Sequence, residues 1–283
     1  MNEIKYRFSP TLLDSYLSYL EHEEIWAQYW GKSDNPKTTL QEFQQEKFQG
    51  LIDKINRVDI PWEDTELMDR GTAFNEIIDS IIENRMPEDM TVTKVFRQEE
   101  IPNPNYSDTS AYTSEFVPMT IKVDTKDLLY LDVSYNKRVF RFDARLCKQI
   151  AKKYKGALTQ VFIEGTLPTR YGDVRFVGYI DEMMPNYISD LKTTTSYTTG
   201  KFRGNMQHLV YPLMIEQMTG QVIDYFVYDV VEFGKYEINC YEEVYPYRRE
   251  EAQKRLTEVC EEFIRFVEDN RELITDKKIF NEV

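Results

Sequence analysis

Apolar side chains are spaced for helices over the first ninety positions and chiefly for strands from about 160 to 244. Ser9-Pro10 is an N-cap followed by a proline at the first helical position, and it predicts a helix running to about Tyr29. Thr39 and Glu42 form a capping box that opens a second helix through Phe43, Phe48, Leu51, Ile52 and Ile55. A third is expected from about Asp69 to Asn84. The character then changes. Ile101 to Asp108 is turn-rich and begins a segment with short strand signals to about Lys137, which is expected to be an insertion. Phe142–Lys155 reads as a helix with Leu146, Ile150 and Ala151 on one face. The runs 160–164, 174–183 and 187–193 read as an antiparallel meander, with Pro185-Asn186 turning between the last two. A helix from about Asn205 to Met218 ends at Gly220. Strands over 223–231 and 236–244 and a C-terminal helix complete the pattern.

Strand runs flanked by helices predict an α/β (α+β) fold, a central mixed sheet flanked by helices. The expected organisation is one domain over 1–283, with a helical part over 1–90, the insertion over 100–140 and the core from 141 to the end.

At 41% hydrophobic and 14% aromatic residues, the chain has ample material for a packed core. No apolar run approaches the ~18 residues of a membrane helix, and Met1-Asn2-Glu3-Ile4-Lys5-Tyr6 lacks the apolar core of a signal peptide, so a cytoplasmic protein is expected. Cys147, Cys240 and Cys260 have no paired spacing and read as three small buried hydrophobes, with neither a disulfide framework nor a zinc site. The net charge of −14 weighs against a polyanionic partner. Acidic residues crowd 250–272, read as a solvated helix, whereas 191–215 holds no acidic residue but Lys192, Lys201 and Arg203. A narrow basic groove on an acidic body is therefore expected.

The segment from Gly178 to Lys192 carries the candidate chemistry. Side chains alternate along a strand, so Asp190 and Lys192 share one face while Leu191 faces the other. A hairpin would bring Asp181 beside Asp190. Two carboxylates suit a hard cation such as Mg²⁺ or Mn²⁺, with a cation-bearing side chain next to them, a set suited to metal-assisted hydrolysis. Gln207 and Tyr211, four apart on a helix, share a face. His208 points elsewhere on that helix, and His22 is expected to be exposed.

These elements, in the order Phe8 to Tyr16, Arg70 to Asp79, Gly178-x-x-Asp181, Asp190-x-Lys192 with Thr193-Thr194, and Gln207-x-x-x-Tyr211, resemble the RecB-like, phage-type exonuclease branch of the PD-(D/E)XK nuclease superfamily. The resemblance spans roughly residues 8 to 211. It implies a restriction-endonuclease-like core and a Mg²⁺- or Mn²⁺-dependent DNA nuclease hydrolysing phosphodiester bonds in recombination or repair. Asp181, Asp190 and the carbonyl of Leu191 would hold the metal, Lys192 would serve the attacking water, and Gln207 and Tyr211 would contact water, phosphate or backbone. Where many relatives place a histidine ligand, this chain has Asn75, with Glu76 beside it and Asp79 a turn later; Glu76 is the expected substitute. Glu164 is a further candidate to line the site. An iron-sulfur cluster is excluded by the cysteine count. DNA, a recombination or single-strand-annealing protein and further copies of the chain are the expected partners, with no membrane. The alternatives are a weak or inactive nuclease-fold protein that binds nucleic acid or regulates, and an unrelated metal-dependent hydrolase acting on a small acidic substrate.

Overall fold

The structure is a computed structural model that describes residues 3–106 and 118–282. Its elements in chain order are β1 (Ile4–Phe8), α1 (Pro10–Leu20), α2 (His22–Trp30), α3 (Leu40–Ile55), α4 (Glu66–Glu83), β2 (Thr91–Pro102), β3 (Thr120–Tyr135), β4 (Arg138–Asp143), α5 (Ala144–Lys153), β5 (Leu158–Leu167), β6 (Asp173–Met183), β7 (Tyr187–Thr194), α6 (Gln207–Thr219), β8 (Tyr225–Phe233), β9 (Ile238–Pro246) and α7 (Arg249–Asp269). They fall into two compact units, Met1–Asp64 with Ala157–Val283, and Thr65–Gly156. The architecture is α+β, with one mixed sheet of six strands and a second sheet of three.

In the first unit the strands lie in the order β1-β6-β7-β8-β9, with β5 also paired to β6. The β1/β6 and β7/β8 pairs are parallel; β5/β6, β6/β7 and β8/β9 are antiparallel. β5 accompanies β6 from Val174 to Met183, which takes up one edge of β6. β1 and β7 must therefore share the other edge. β1 takes residues 173–176 and β7 only Glu182 and Met183, so the span from Val177 to Asp181 pairs with neither. The sheet opens there.

Helix α7 is amphipathic rather than simply solvated: Leu256, Val259, Cys260, Phe263, Ile264 and Val267 are buried in the core, and the acidic residues take the opposite face. The single helix expected to Tyr29 breaks at Glu21 into α1 and α2. The capping box of Thr39 and Glu42 is present in full, with the Glu42 carboxylate accepting from the Thr39 N–H at 2.8 Å. β1 was hidden by Lys5 and Arg7, yet its alternate residues Tyr6 and Phe8 are buried.

In the second unit β2, β3 and β4 form an antiparallel sheet, and α4 and α5 pack on each other and on β3 and β4. The segment expected as an insertion with short strand signals, 100–140, holds the long strand β3, Thr120–Tyr135, paired with Thr91–Pro102, while its residues 107–117 lie outside the described residues. Asn136 and Lys137, both at positive φ, make the tight turn into β4. Phe74 meets Phe142 at a tilt of 59° in this unit's core, 5.1 Å between ring centres. Cys147 and Cys260 are buried, as expected of small hydrophobes; Cys240 is exposed at the β9 edge, because β9 closes the sheet and half of its side chains face water. No helix among the described residues is long and apolar enough to cross a membrane.

Candidate functional site

β7 is buried on both faces at its centre, from Ile188 to Leu191, a setting that normally calls for a continuous apolar run. Ser189 and Asp190 break that run. A fully buried carboxylate costs several kcal/mol unless it is paired and hydrogen-bonded, and Asp190, 2% exposed, is both. Its Oδ2 meets Lys192 Nζ at 2.7 Å and its Oδ1 accepts from Gln207 Nε2 at 2.7 Å.

Asp181 stands on β6 where the sheet opens. Beyond the Glu182–Ser189 pair the two strands part, and the Leu191 N–H donates to Asp181 Oδ2 at 3.3 Å in place of a β6 carbonyl. Because Glu182 pairs with Ser189, the preceding Asp181 and following Asp190 lie on the same sheet face.

Helix α6 carries the next pair. It is apolar around most of its circumference and Val210, Tyr211, Leu213, Met214 and Ile215 are all buried, which holds it tightly against the sheet. Gln207 Nε2 also lies 3.4 Å from the Tyr211 hydroxyl. Its Oε1 is buried with no hydrogen-bond partner, which leaves the site an unused acceptor. Gly178 explains the first position of the Gly-x-x-Asp pattern: a Cβ there would stand 3.1 Å from the Tyr211 ring, so a side chain would push the ring a few tenths of an ångström from its place over β6.

Asp14, on α1, is a member of the site that sequence reasoning passed over. Its Oδ1 accepts from the Met206 N–H at 2.6 Å, so it caps α6 from across the fold, since Met206 has no hydroxyl or carboxylate of its own. Burial pushes the Asp14 carboxyl up to about 6, against the pull of the Met206 N–H, Lys192 and Lys54. Burial also pulls Lys192 down, but Asp190, Asp181 and Asp14 together outweigh it and hold the ammonium above its ordinary range. Lys192 is therefore a fixed positive charge 5.8 Å from the ring centre of Tyr228. Burial raises the Tyr211 phenol well out of the physiological range, so it acts as a neutral hydroxyl. Its position in the Phe8–Tyr16 motif was the one signal that Asp14 gave.

The loop before α6 is moored on Glu243, also missed. Its carboxylate accepts from Tyr197 Oη at 2.8 Å, Gly200 N at 3.0 Å and Phe202 N at 3.3 Å, and from Tyr245. Nothing in its own strand marked it.

Asp181, Asp190, Leu191, Lys192, Gln207 and Tyr211 thus come together in the first unit. Asn75, Glu76 and Asp79 lie on α4 of the second. Both Glu76 oxygens are engaged there, by Arg85 and by the Glu88 N–H at 2.7 Å, whereas Asp79 is 2% exposed. Glu164 pairs with Arg175 on the neighbouring strand. His208 is stacked on Tyr245 at 4.6 Å, and burial lowers its pKa to about 4. His22 is only partly exposed, because its ring stacks on Tyr19 and its Nδ1 lies 2.8 Å from the Tyr19 carbonyl. The expected basic window contributes less than its composition promised. Lys192 pairs with Asp190 through one of its three N–H donors, and Lys201 Nζ donates to Thr194 Oγ1 and Ser196 O, each at 2.7 Å.

The donors are all hard oxygens: the Asp181 and Asp190 carboxylates, the Leu191 carbonyl and the unpartnered Gln207 Oε1. They fit Mg²⁺ or Mn²⁺ in kind. Among the described residues no group of three or more His, Cys, Asp or Glu is placed to hold a metal by itself.

No family model and no curated protein matches the chain. A solved structure described as "Crystal structure of SSO0001" aligns at 16% identity with a TM-score of 0.31, covering 42% of this chain and 55% of that one. The chain thus spans about half the length of that structure, and a likeness of this order carries no argument.

Proposed function

We propose that this protein is a divalent-metal-dependent nuclease of exonuclease type, hydrolysing phosphodiester bonds in DNA. The observation that carries the reading is the opened strand pair, which sets Asp181 and Asp190 on one sheet face with Lys192 and Gln207 both bonded to Asp190. In the proposed reaction a water oxygen attacks phosphorus, the ester P–O bond breaks and the leaving alcohol takes up a proton. A metal bound at the carboxylates would supply Lewis-acid stabilisation of the phosphoryl oxygens. Lys192, held charged, presents an ammonium to the non-bridging oxygens and the attacking water, and this is electrostatic stabilisation already oriented before substrate arrives. Gln207 locks the carboxylate rotamer of Asp190 and offers Oε1 to the water. Neutral Tyr211 can donate a hydrogen bond to substrate.

The competing reading, a weak or inactive nuclease-fold protein, draws support from Glu76, whose carboxylate is committed to Arg85 and the Glu88 N–H. Incubating the chain with end-labelled linear and circular DNA, with Mn²⁺ or with EDTA, separates the two. Release of end label with Mn²⁺ alone, lost in Asp190→Asn, is expected; absent cleavage would leave the binding protein as the better description, and cleavage that persists in EDTA would overturn the metal-dependent mechanism.

A further inference from the structure

We infer that the solvent face of α5, in the second unit, binds the phosphate backbone of nucleic acid. This rests on the reading above for its choice of polyanion and extends it from the site to the means of holding substrate.

The chain carries 49 acidic against 35 basic residues, yet from Ala144 to Ile163 it has no acidic residue and five cations. Arg145, Lys148 and Lys152 fall within about 60° of one another around the helix, one stripe, with Lys155 just past its end. All four are exposed. Ala144, Cys147 and Ala151 turn inward and fix the orientation of the stripe. Elsewhere in this unit four arginines are ion-paired: Arg85 with Glu76, Arg97 with Asp127, Arg138 with Asp69 and Arg141 with Asp132. Among the described residues no ion pair reaches Arg145, Lys148, Lys152 or Lys155. The nearest carboxylate in sequence, Asp143, is occupied in capping the helix, accepting from the N–H groups of Arg145 and Leu146 at 2.8 and 2.9 Å.

Helix stability does not account for the stripe. Lys152 and Lys153 at the C-terminus suit the helix dipole, but Arg145 in the first turn opposes it. Lys148 also joins Lys94 around a cavity of about 520 Å³ in the same unit, which adds a cation from β2 to the patch. Residues 65–156 carry 14 basic and 15 acidic residues, so nearly all of the net −14 belongs to the first unit and a polyanion meets little general repulsion here. An anionic membrane is the poorer partner, because a helix that lies in a bilayer surface needs exposed apolar residues beside its cations, and the exposed positions of α5 are Arg145, Lys148, Gln149, Lys152 and Lys153.

The test compares the full chain with the triple variant Arg145→Gln/Lys148→Gln/Lys152→Gln and with a control of equal charge, Lys5→Gln/Lys32→Gln/Lys235→Gln. Binding of labelled duplex DNA is followed by anisotropy in EDTA, where no turnover occurs, over a range of salt. The α5 triple should bind about ten-fold more weakly near 0.1 M salt, with its log K against log salt slope reduced by about 2 to 3, while the control keeps the parental values. Equal losses in both triples, or in neither, would overturn the inference. So would loss by the α5 triple of binding to phosphatidylglycerol vesicles with DNA binding intact. Hydrolysis of bis(p-nitrophenyl) phosphate with Mn²⁺, run in parallel, needs no backbone contact and should be unchanged in the α5 triple. Asp190-dependent hydrolysis with unaltered DNA binding removes only the α5 assignment, whereas a parent that neither hydrolyses this ester nor binds DNA removes both.

Discussion

Lys192 can be read from the sequence as a lysine with little part in packing, and the structure changes that expectation, because its partner is buried. Lys192→Ala should lower DNA cleavage by several orders of magnitude and also cost about 3 kcal/mol of stability, since it strands the Asp190 charge. The double variant Asp190→Asn/Lys192→Met should regain most of the stability and none of the cleavage. Urea midpoints and turnover on all three proteins check this, and recovery of both together would make the pair purely structural. Two other residues set opposing pH slopes. Asp14, raised to about 6 from 3.8, holds its proton more tightly in the folded chain, so its contribution favours folding near pH 4 and turns against it as pH rises through 6. His208, lowered to about 4 from 6.5, refuses its proton when folded, so stability present above 6.5 is lost as pH falls toward 4. Each amounts to about 3 kcal/mol at most, and in the parent they offset. Asp14→Asn should therefore lose stability steeply between pH 6.5 and 4.5, and His208→Gln should gain it over the same range, measured as urea midpoints. Flat profiles in both variants would refute the assignment.

Among the elements, α6 depends on β6 being bare at one point. Gly178→Ala places a methyl 3.1 Å from the Tyr211 ring, which is 5% exposed and has little room to retreat. A cost of about 1 to 3 kcal/mol is expected, together with loss of cleavage beyond what that destabilisation explains, because Gln207 shares the helix and moves with Tyr211. A variant with parental melting temperature and turnover would show that the close approach is unimportant. Legibility followed local chemistry here. The α3 capping box, the Gly220 stop of α6 and the parity of Asp190 with Lys192 are short-range signals, and each lies where the sequence placed it. β1 and the break at Glu21 were not legible, since a five-residue strand carrying Lys5 and Arg7 leaves little periodic trace and the helix breaks at Glu21 with no Gly or Pro to mark it. Asp14 and Glu243 escaped because each meets the site from more than 40 residues away in sequence, Asp14 through Met206 and Glu243 through the loop before α6.

Over the whole molecule the fold class was legible, and the two compact units meet at residues 64 and 156, where no linker-like run of Pro, Gly or Ser stands. The first unit is discontinuous, and residues at its two extremes hold each other. Tyr6 Oη donates to Glu268 at 2.8 Å, Asn281 Nδ2 donates to the Ile4 carbonyl at 3.2 Å, and Tyr6 lies against Phe280 at 6.4 Å. For a chain emerging from the ribosome this fixes an order. Residues 65–156 can complete their sheet and helices while the rest is still being made, but β1 has neither β6 nor residues 268–281 to dock on until those later residues have been translated. Stalled chains ending near residue 250 should accordingly yield a protease-resistant fragment within 65–156 and nothing resistant from residues 1–64. Asp190 and Lys192 belong to the unit that waits, so a nascent chain would carry its acidic site unassembled until residues 268–281 have been translated.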